Sequence, residues 1–304
     1  MLPPHNVLAA IDFSPGSRAA LTFAIRLARH CAADLHVLHA VPASLVHAAR
    51  LADHPPSPRC GYGAAGDIRE EMLDELRRVL SECAPTAGAA AHCHVIEGDA
   101  ATVILDIAAR EQADVIVLGA KGLSNDAWPA LGSTLEDVVR RTTIPIVAVP
   151  ATWLPPDARA DGLTGSGPII AGVDMTCPAI EGAVAGCQIA GALGTEVVLL
   201  HAVPPPQTPG RWQVHANAAA AAALEQSKVD FERVASAIKA RSTVPVTLHT
   251  ECSDIATALA RQALAHPGGI VVLGRGGRPH SYGPPGSIVA RTLLLGRVPV
   301  LMYL

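Results

Sequence analysis

The chain has 304 residues, half of them apolar, with 23 basic against 27 acidic side chains and a formal net charge of −4. That balance excludes a basic nucleic-acid surface as the default reading and excludes an acidic disordered chain, while the length suits two domains of ordinary size. Aromatic residues are only 3%, so any core must be built from Val, Ile, Leu and Ala. Twenty arginines against three lysines (Lys121, Lys228, Lys239) reflect a general coding bias, so a lone arginine carries little functional weight.

At the start of the chain, Met1-Leu2-Pro3-Pro4-His5 lacks the basic and apolar regions of a signal peptide, and no uninterrupted apolar run reaches membrane-spanning length. Seven irregularly spaced cysteines (Cys31, Cys60, Cys83, Cys93, Cys177, Cys187, Cys252) include no Cys-x-x-Cys pair. They fit reduced thiols, and the expected setting is the cytoplasm without membrane contact.

The first apolar run, Val7–Ile11, reads as a buried strand. Asp12-Phe13-Ser14-Pro15 follows, with Ser14 as a helix N-cap and Pro15 as the first helical residue. A helical period then runs through Ala20, Phe23, Ala24 and Leu27, and a second strand through Leu35–Ala40. Ile68, Met72, Leu76, Val79 and Cys83 mark another helix, before a third strand at Val95–Ile96. Ala100–Arg110 is helical, Val115–Leu118 is a fourth strand, a helix starts at Ser133, and Ile146–Val149 is the fifth strand.

The pattern then repeats. Asp12 and Asp174 stand 162 residues apart, as do His39 and His201; VLAAID is matched by IIAGVD and LHVLHAV by VVLLHAV. Later, VIVLGAKG matches IVVLGRGG and Gly132-Ser133 matches Gly286-Ser287. Residues 1–151 and 168–304 are therefore expected to be two copies of one domain, joined by a Pro- and Gly-rich linker over 152–167. A long Ala-rich helix is expected over Ala216–Ala240. Strands alternating with helices imply a doubly wound α/β domain with a parallel sheet in each copy. Each chain copy ends on an apolar fifth strand, and two such edges are expected to pair, within one chain or across a homodimer.

In a sheet of this kind ligands bind at the carboxyl ends of the strands, at the switch in strand order. Asp12, and its counterpart Asp174, either closes a strand-to-helix turn or offers a carboxylate to a ribose hydroxyl or a divalent cation. After strand four, Gly119-Ala120-Lys121-Gly122 is followed nine residues later by Gly132-Ser133 at a helix start. Glycines there let the backbone approach a ligand, and free helix N–H groups favour an anion such as phosphate. The bland account of Ser133 is an N-cap paired with Glu136 in a capping box.

These residues carry a resemblance. DFSPGSRAAL, LHAV, EGDAATVIL, ADVIVLGAKG and the spaced string Gly119, Gly122, Gly132, Ser133 resemble the universal stress protein family, in two tandem copies spanning nearly the whole chain. The resemblance implies a five-stranded parallel domain of strand order 3-2-1-4-5, and ATP or another adenine nucleotide (ADP, AMP) as ligand where the glycine string is present. It implies that Ala10 and Asp12 flank ribose and adenine, and that Ala40 and Val41 contact adenine. It further implies that Gly119, Gly122, Gly132, Ser133 and Thr134 hold ribose and phosphates, with Mg2+ or Mn2+ accompanying the nucleotide near Asp12. The expected role is a sensor or regulatory module of the stress response, working with an unidentified protein partner, and not a fast enzyme. A nucleotide-free scaffold, or a slow ATPase or nucleotidyl-transfer enzyme on the same fold, are the alternatives.

The second copy departs from the string. Gly274, Gly277, Gly286 and Ser287 are matched, but eight residues instead of nine precede Gly286, and Pro284-Pro285 removes two backbone donors. Elsewhere, His92-Cys93-His94 places two imidazoles on one side of strand three, with His5, His36 and Cys60 available for metal ligation. No standard zinc spacing is present, so an exposed stretch of strand is the ordinary account. His39 and His201 are expected to be packed or hydrogen-bonded rather than catalytic. There is no G-x-S-x-G elbow and no G-x4-G-K-[ST] phosphate loop.

Overall fold

The computed structural model describes residues 3–52, 67–83, 91–122, 131–154, 167–266, 268–274 and 287–303. In the first half, β1 (Asn6–Ala10), β2 (Asp34–Val41), β3 (Ala91–Glu97), β4 (Val115–Gly119) and β5 (Ile146–Val149) alternate with α1 (Pro15–Cys31), α2 (Ala43–Ala52), α3 (Asp67–Cys83), α4 (Ala100–Arg110) and α5 (Ser133–Arg141). The second half gives β6 (Ile169–Gly172), α6 (Cys177–Leu193), β7 (Val197–Ala202), α7 (Gln213–Lys239), β8 (Val246–Glu251), α8 (Ile255–Ala265), β9 (Ile270–Gly274), α9 (Ser287–Gly296) and β10 (Val300–Tyr303). The strands expected from short apolar runs all form. Only α2 escapes the sequence pattern, because within it Val46 alone is buried among the described side chains and no apolar period marks it.

All ten strands lie in one sheet of order β3-β2-β1-β4-β5-β10-β9-β6-β7-β8. Each half reads 3-2-1-4-5 from the outer edge of the sheet to its centre and is parallel throughout. The halves meet where β5 and β10 pair antiparallel, with Val300 opposite Ala148, Leu301 opposite Val147 and Met302 opposite Ile146. The apolar fifth-strand edges are thus covered within the chain.

Apolar side chains alternate between the two faces of these buried strands. One face packs against α1, α3, α6 and α7 around Val7, Phe23, Leu76, Val147, Phe231 and Leu301. The other packs against α4, α5, α8 and α9 around Leu8, Ile104, Leu135, Ile170, Leu259 and Leu293. The first core runs unbroken across the β5–β10 junction. Trp153, at the start of the expected linker, belongs to it: its ring is buried and meets Phe23 edge-on at 5.6 Å. Residues 155–166 of that linker lie outside the described residues. No helix among the described residues is long and apolar enough to cross a membrane.

Candidate functional site

The order reverses between β1 and β4, and the residues that follow these two strands meet there. Asp12 follows β1 and is half-buried. Its carboxylate Oδ1 accepts the Ser14 backbone N–H at 3.1 Å, while the Asp12 N–H donates to the Ser17 hydroxyl at 3.2 Å. Ser14 caps α1 as expected, accepting the Ser17 N–H at 3.2 Å, and Pro15 opens the helix. Between them Phe13 sits at φ 65°, a left-handed conformation uncommon for a bulky residue. Its ring lies 4.5 Å from that of His39, whose Nδ1 bonds the Ile11 carbonyl at 2.8 Å.

The glycine string folds onto this turn, and its members do different work. A Cβ on Gly119 would come within 2.9 Å of the Gly16 and Ser17 backbone, so this glycine lets the start of α1 lie against the end of β4. A Cβ on Gly122 would instead meet the Asp12 Oδ2 at 2.5 Å. A Cβ on Gly132 would stand 3.4–3.5 Å from the Ala120–Gly122 backbone, and Gly132 donates its N–H to the Ala120 carbonyl at 2.9 Å. The described residues thus form a notch bounded by the Asp12 carboxylate, the backbone at Gly122 and Gly132 and the start of α5.

Ser133 is not the N-cap of α5. Gly132 takes that place, in an extended conformation pinned by its bond to Ala120, which starts the helix one residue early. Ser133 is therefore exposed at the first helical position and Glu136 falls outside a capping box. The first-turn amides of Ser133, Thr134 and Leu135 have no intrahelical acceptor by helix geometry. Ala10 and Ala40 are half-buried at the strand ends beside the notch. Val41 is fully buried and its carbonyl accepts the Gly98 N–H at 3.0 Å, so it supports the notch from within and its side chain is not on the surface.

The second half repeats the turn with looser parts. Met175 stands at φ 64°, and His201 Nδ1 bonds the Val173 carbonyl at 2.9 Å, matching Phe13 and His39. Asp174, however, is exposed and holds both the N–H and the hydroxyl of Thr176, at 3.0 and 2.5 Å. A Cβ on Gly274 would collide with the Pro178 backbone, so this glycine serves helix packing, as Gly119 does. Gly277 and Gly286 lie outside the described residues, and of Ser287 only the helical backbone is described.

The strained Phe13 and Met175 are the features that sequence reading missed. Their signal was available: an Asp-x-[Ser/Thr] turn recurring 162 residues apart leaves one residue to reverse the chain between strand and helix. Such strain clusters at functional sites.

Backbone donors at the start of α5 suit an anion, and the Asp12 carboxylate beside Gly122 suits hydroxyl groups or a divalent ion. Comparison with known proteins agrees on the fold and the kinship. The model of the universal stress protein family matches residues 4–150. The chain is 30% identical over 148 residues to the universal stress protein YxiE of Bacillus subtilis, covering 48% of this chain and 98% of that protein. It is 26% identical over 151 residues to the universal stress protein MJ0531 of Methanocaldococcus jannaschii, covering 47% and 81% respectively. Among solved structures, a universal stress protein from Archaeoglobus fulgidus superposes with a TM-score of 0.64 at 16% identity, over 99% of this chain and 98% of that one.

Proposed function

The chain belongs to the universal stress protein family, and from that premise we propose that its first half binds ATP or a related adenine nucleotide and serves the stress response as a sensor rather than a fast enzyme. The observation that carries this reading is the contact of Gly122 with the Asp12 carboxylate beside the exposed start of α5. In that arrangement the amides of Ser133 and Thr134 and the Ser133 hydroxyl bind phosphate oxygens, and Asp12 takes a ribose hydroxyl or a Mg2+ or Mn2+ ion carried by the nucleotide. A cytoplasmic setting and a protein partner complete the proposal. The second half, with Asp174 turned outward and held by Thr176, is proposed to bind more weakly.

Mass spectrometry of the protein purified from its native host tests the reading. An adenine nucleotide is expected at up to one equivalent in the wild type and absent from Gly132→Val, whose added methyl groups would occupy the notch beyond a Cβ that already touches the Ala120–Gly122 backbone at 3.4–3.5 Å. Equal nucleotide content and equal ATP affinity in both proteins would overturn it.

A further inference from the structure

Far from this notch, near the amino ends of the first-half strands, three metal-ligating side chains converge. His36 is the third residue of β2, His94 lies on the adjacent β3, and Glu111 caps the end of α4. Their ligand atoms all lie within 4.8 Å of one another. His36 Nδ1 and His94 Nε2 are 3.2 Å apart, and Glu111 Oε2 is 3.9 Å from His36 Nδ1. We propose that His36 Nδ1, His94 Nε2 and Glu111 form a site for a divalent transition ion, Zn2+ being the reference case, with water in the fourth position.

The distances suit the ion. Zn–N and Zn–O bonds of about 2.0–2.2 Å put tetrahedral ligand atoms about 3.3 Å apart. The imidazole pair already meets that spacing, and the half-buried Glu111, at a helix end, must close by about 0.6 Å on His36 and by no more than about 1.5 Å on His94. Cys93 belongs to the opposite face of β3, packed on the first core, and stays out of the ligand set.

The proton inventory closes without a co-reactant. Arg110 donates to His94 Nδ1 at 3.3 Å, and arginine has no acceptor. His94 therefore carries its proton on Nε2 and donates it to His36 Nδ1. On binding, Arg110 withdraws into solvent, the His94 proton moves from Nε2 to Nδ1, and both freed lone pairs turn to the metal. Arg110, which also pairs with Glu111 at 2.8 Å, is thus a built-in competitor.

Nothing in the fold demands these residues. The position equivalent to His36 in the second half is Val198, also buried, and His266 stands where Glu111 does in α4. The duplicated half folds without the cluster. The ion would clip β3, the outermost strand of the sheet, to β2 and α4.

The test is a titration of the full chain with Zn2+ by calorimetry and with Co2+ by visible absorption. One equivalent is expected to bind with micromolar affinity or better, giving tetrahedral Co2+ bands without thiolate charge transfer. His36→Val and Glu111→Gln should each weaken it at least about tenfold. His36→Val installs the residue that the second half tolerates, so loss of fold is not the expected outcome, and a melting curve without metal checks it. Arg110→Ala, outside the ligand set, should tighten binding severalfold. No bound equivalent in the wild type, unaltered affinity in Glu111→Gln, a thiolate band, or weaker binding in Arg110→Ala would each overturn the assignment. Nucleotide content is not a readout here, so failure of this site leaves the proposed function untouched.

Discussion

Two glycines three residues apart in the same string should fail in different ways when replaced by alanine. In Gly122→Ala the new Cβ lies 2.5 Å from Asp12 Oδ2. An ordinary carbon–oxygen contact is about 3.3 Å, so the carboxylate must retreat by about 0.8 Å. It is tethered through Oδ1 to the Ser14 N–H at 3.1 Å, and the retreat strains that bond, which costs about 0.5–1.5 kcal/mol. In Gly119→Ala the Cβ meets the α1 backbone at 2.8–2.9 Å, where no side chain can rotate away, and overpacking of this kind costs about 1–3 kcal/mol. At about 2–4 °C per kcal/mol for units of this size, both variants melt lower, Gly119→Ala by more. Ligand affinity separates them further. Moving Asp12 off its ribose or cation contact should raise the Kd for ATP about tenfold or more, the worth of one hydrogen bond to a charged group. Melting curves without nucleotide, paired with ATP titration below the melting range, read both effects. A Gly122→Ala protein that binds ATP as tightly as the wild type would refute the assignment of Asp12 to the ligand.

Other outcomes follow from the same geometry. Asp99 caps α4 by accepting the Thr102 N–H at 3.0 Å, and that bond holds its carboxyl below the ordinary aspartate range. Its contribution is present above the unfolded pKa and fades as pH falls through the folded one. Asp99→Ala should therefore cost about 1 kcal/mol in urea unfolding at neutral pH and progressively less as the pH falls below the ordinary aspartate pKa, with Asp99→Asn near wild type throughout. Leu301 is buried opposite Val147 at the junction of the halves, so Leu301→Ala should lower stability by about 2–5 kcal/mol, and a loss under 1 kcal/mol would contradict the buried β5–β10 seam. The Thr292 hydroxyl is fully buried with no partner among the described residues, so Thr292→Val should raise the urea midpoint, by about 1 kcal/mol in stability.

Much of this molecule is legible in its sequence because fully buried parallel strands leave continuous apolar runs, and duplication writes each signal twice. Val115–Leu118 and Ile270–Leu273 are unmistakable strands for that reason, and the Asp12 and Asp174 turns mark the carboxyl ends. What stayed hidden depended on three-dimensional proximity. A sequence cannot show that Gly119 is spent on helix packing while Gly122 faces a carboxylate, since the difference lies in which chain passes overhead. Ser133 looked like an N-cap because Ser followed by Glu three residues on is the usual signal; the Gly132–Ala120 hydrogen bond shifted the start. The histidines of strand three and His36 were legible as candidates, but not which of them meet: the register that sets His36 opposite His92 brings it beside His94, and Glu111, from the end of α4, carried no signal.

The antiparallel seam also decides what the two halves can do for each other. All strands within a half run parallel, so reversing β10 against β5 points the carboxyl ends of the halves in opposite directions. The notch beside Asp12 and its counterpart beside Asp174 therefore open at opposite ends of one sheet, and no ligand in one can touch the other. Any coupling must pass through the shared core, where α1 and α6 lie side by side and His30 bonds the Ala192 carbonyl. Side chains of that layer such as Phe23 and Leu301 are buried, and the space they line between α1 and α6 is an apolar cavity of only about 20 Å³. A packed seam of this kind transmits strain only if it has a second arrangement, and nothing in the register of β5 and β10 offers one. Nucleotide binding should accordingly be non-cooperative, with a Hill coefficient of one whether one half binds or both. Gly132→Val should remove the tighter site and leave the Kd of any remaining site unchanged. A Hill coefficient clearly above one, or a second-half affinity that shifts with the first-half variant, would show that the core has two packings and would overturn this view of the junction as a rigid weld.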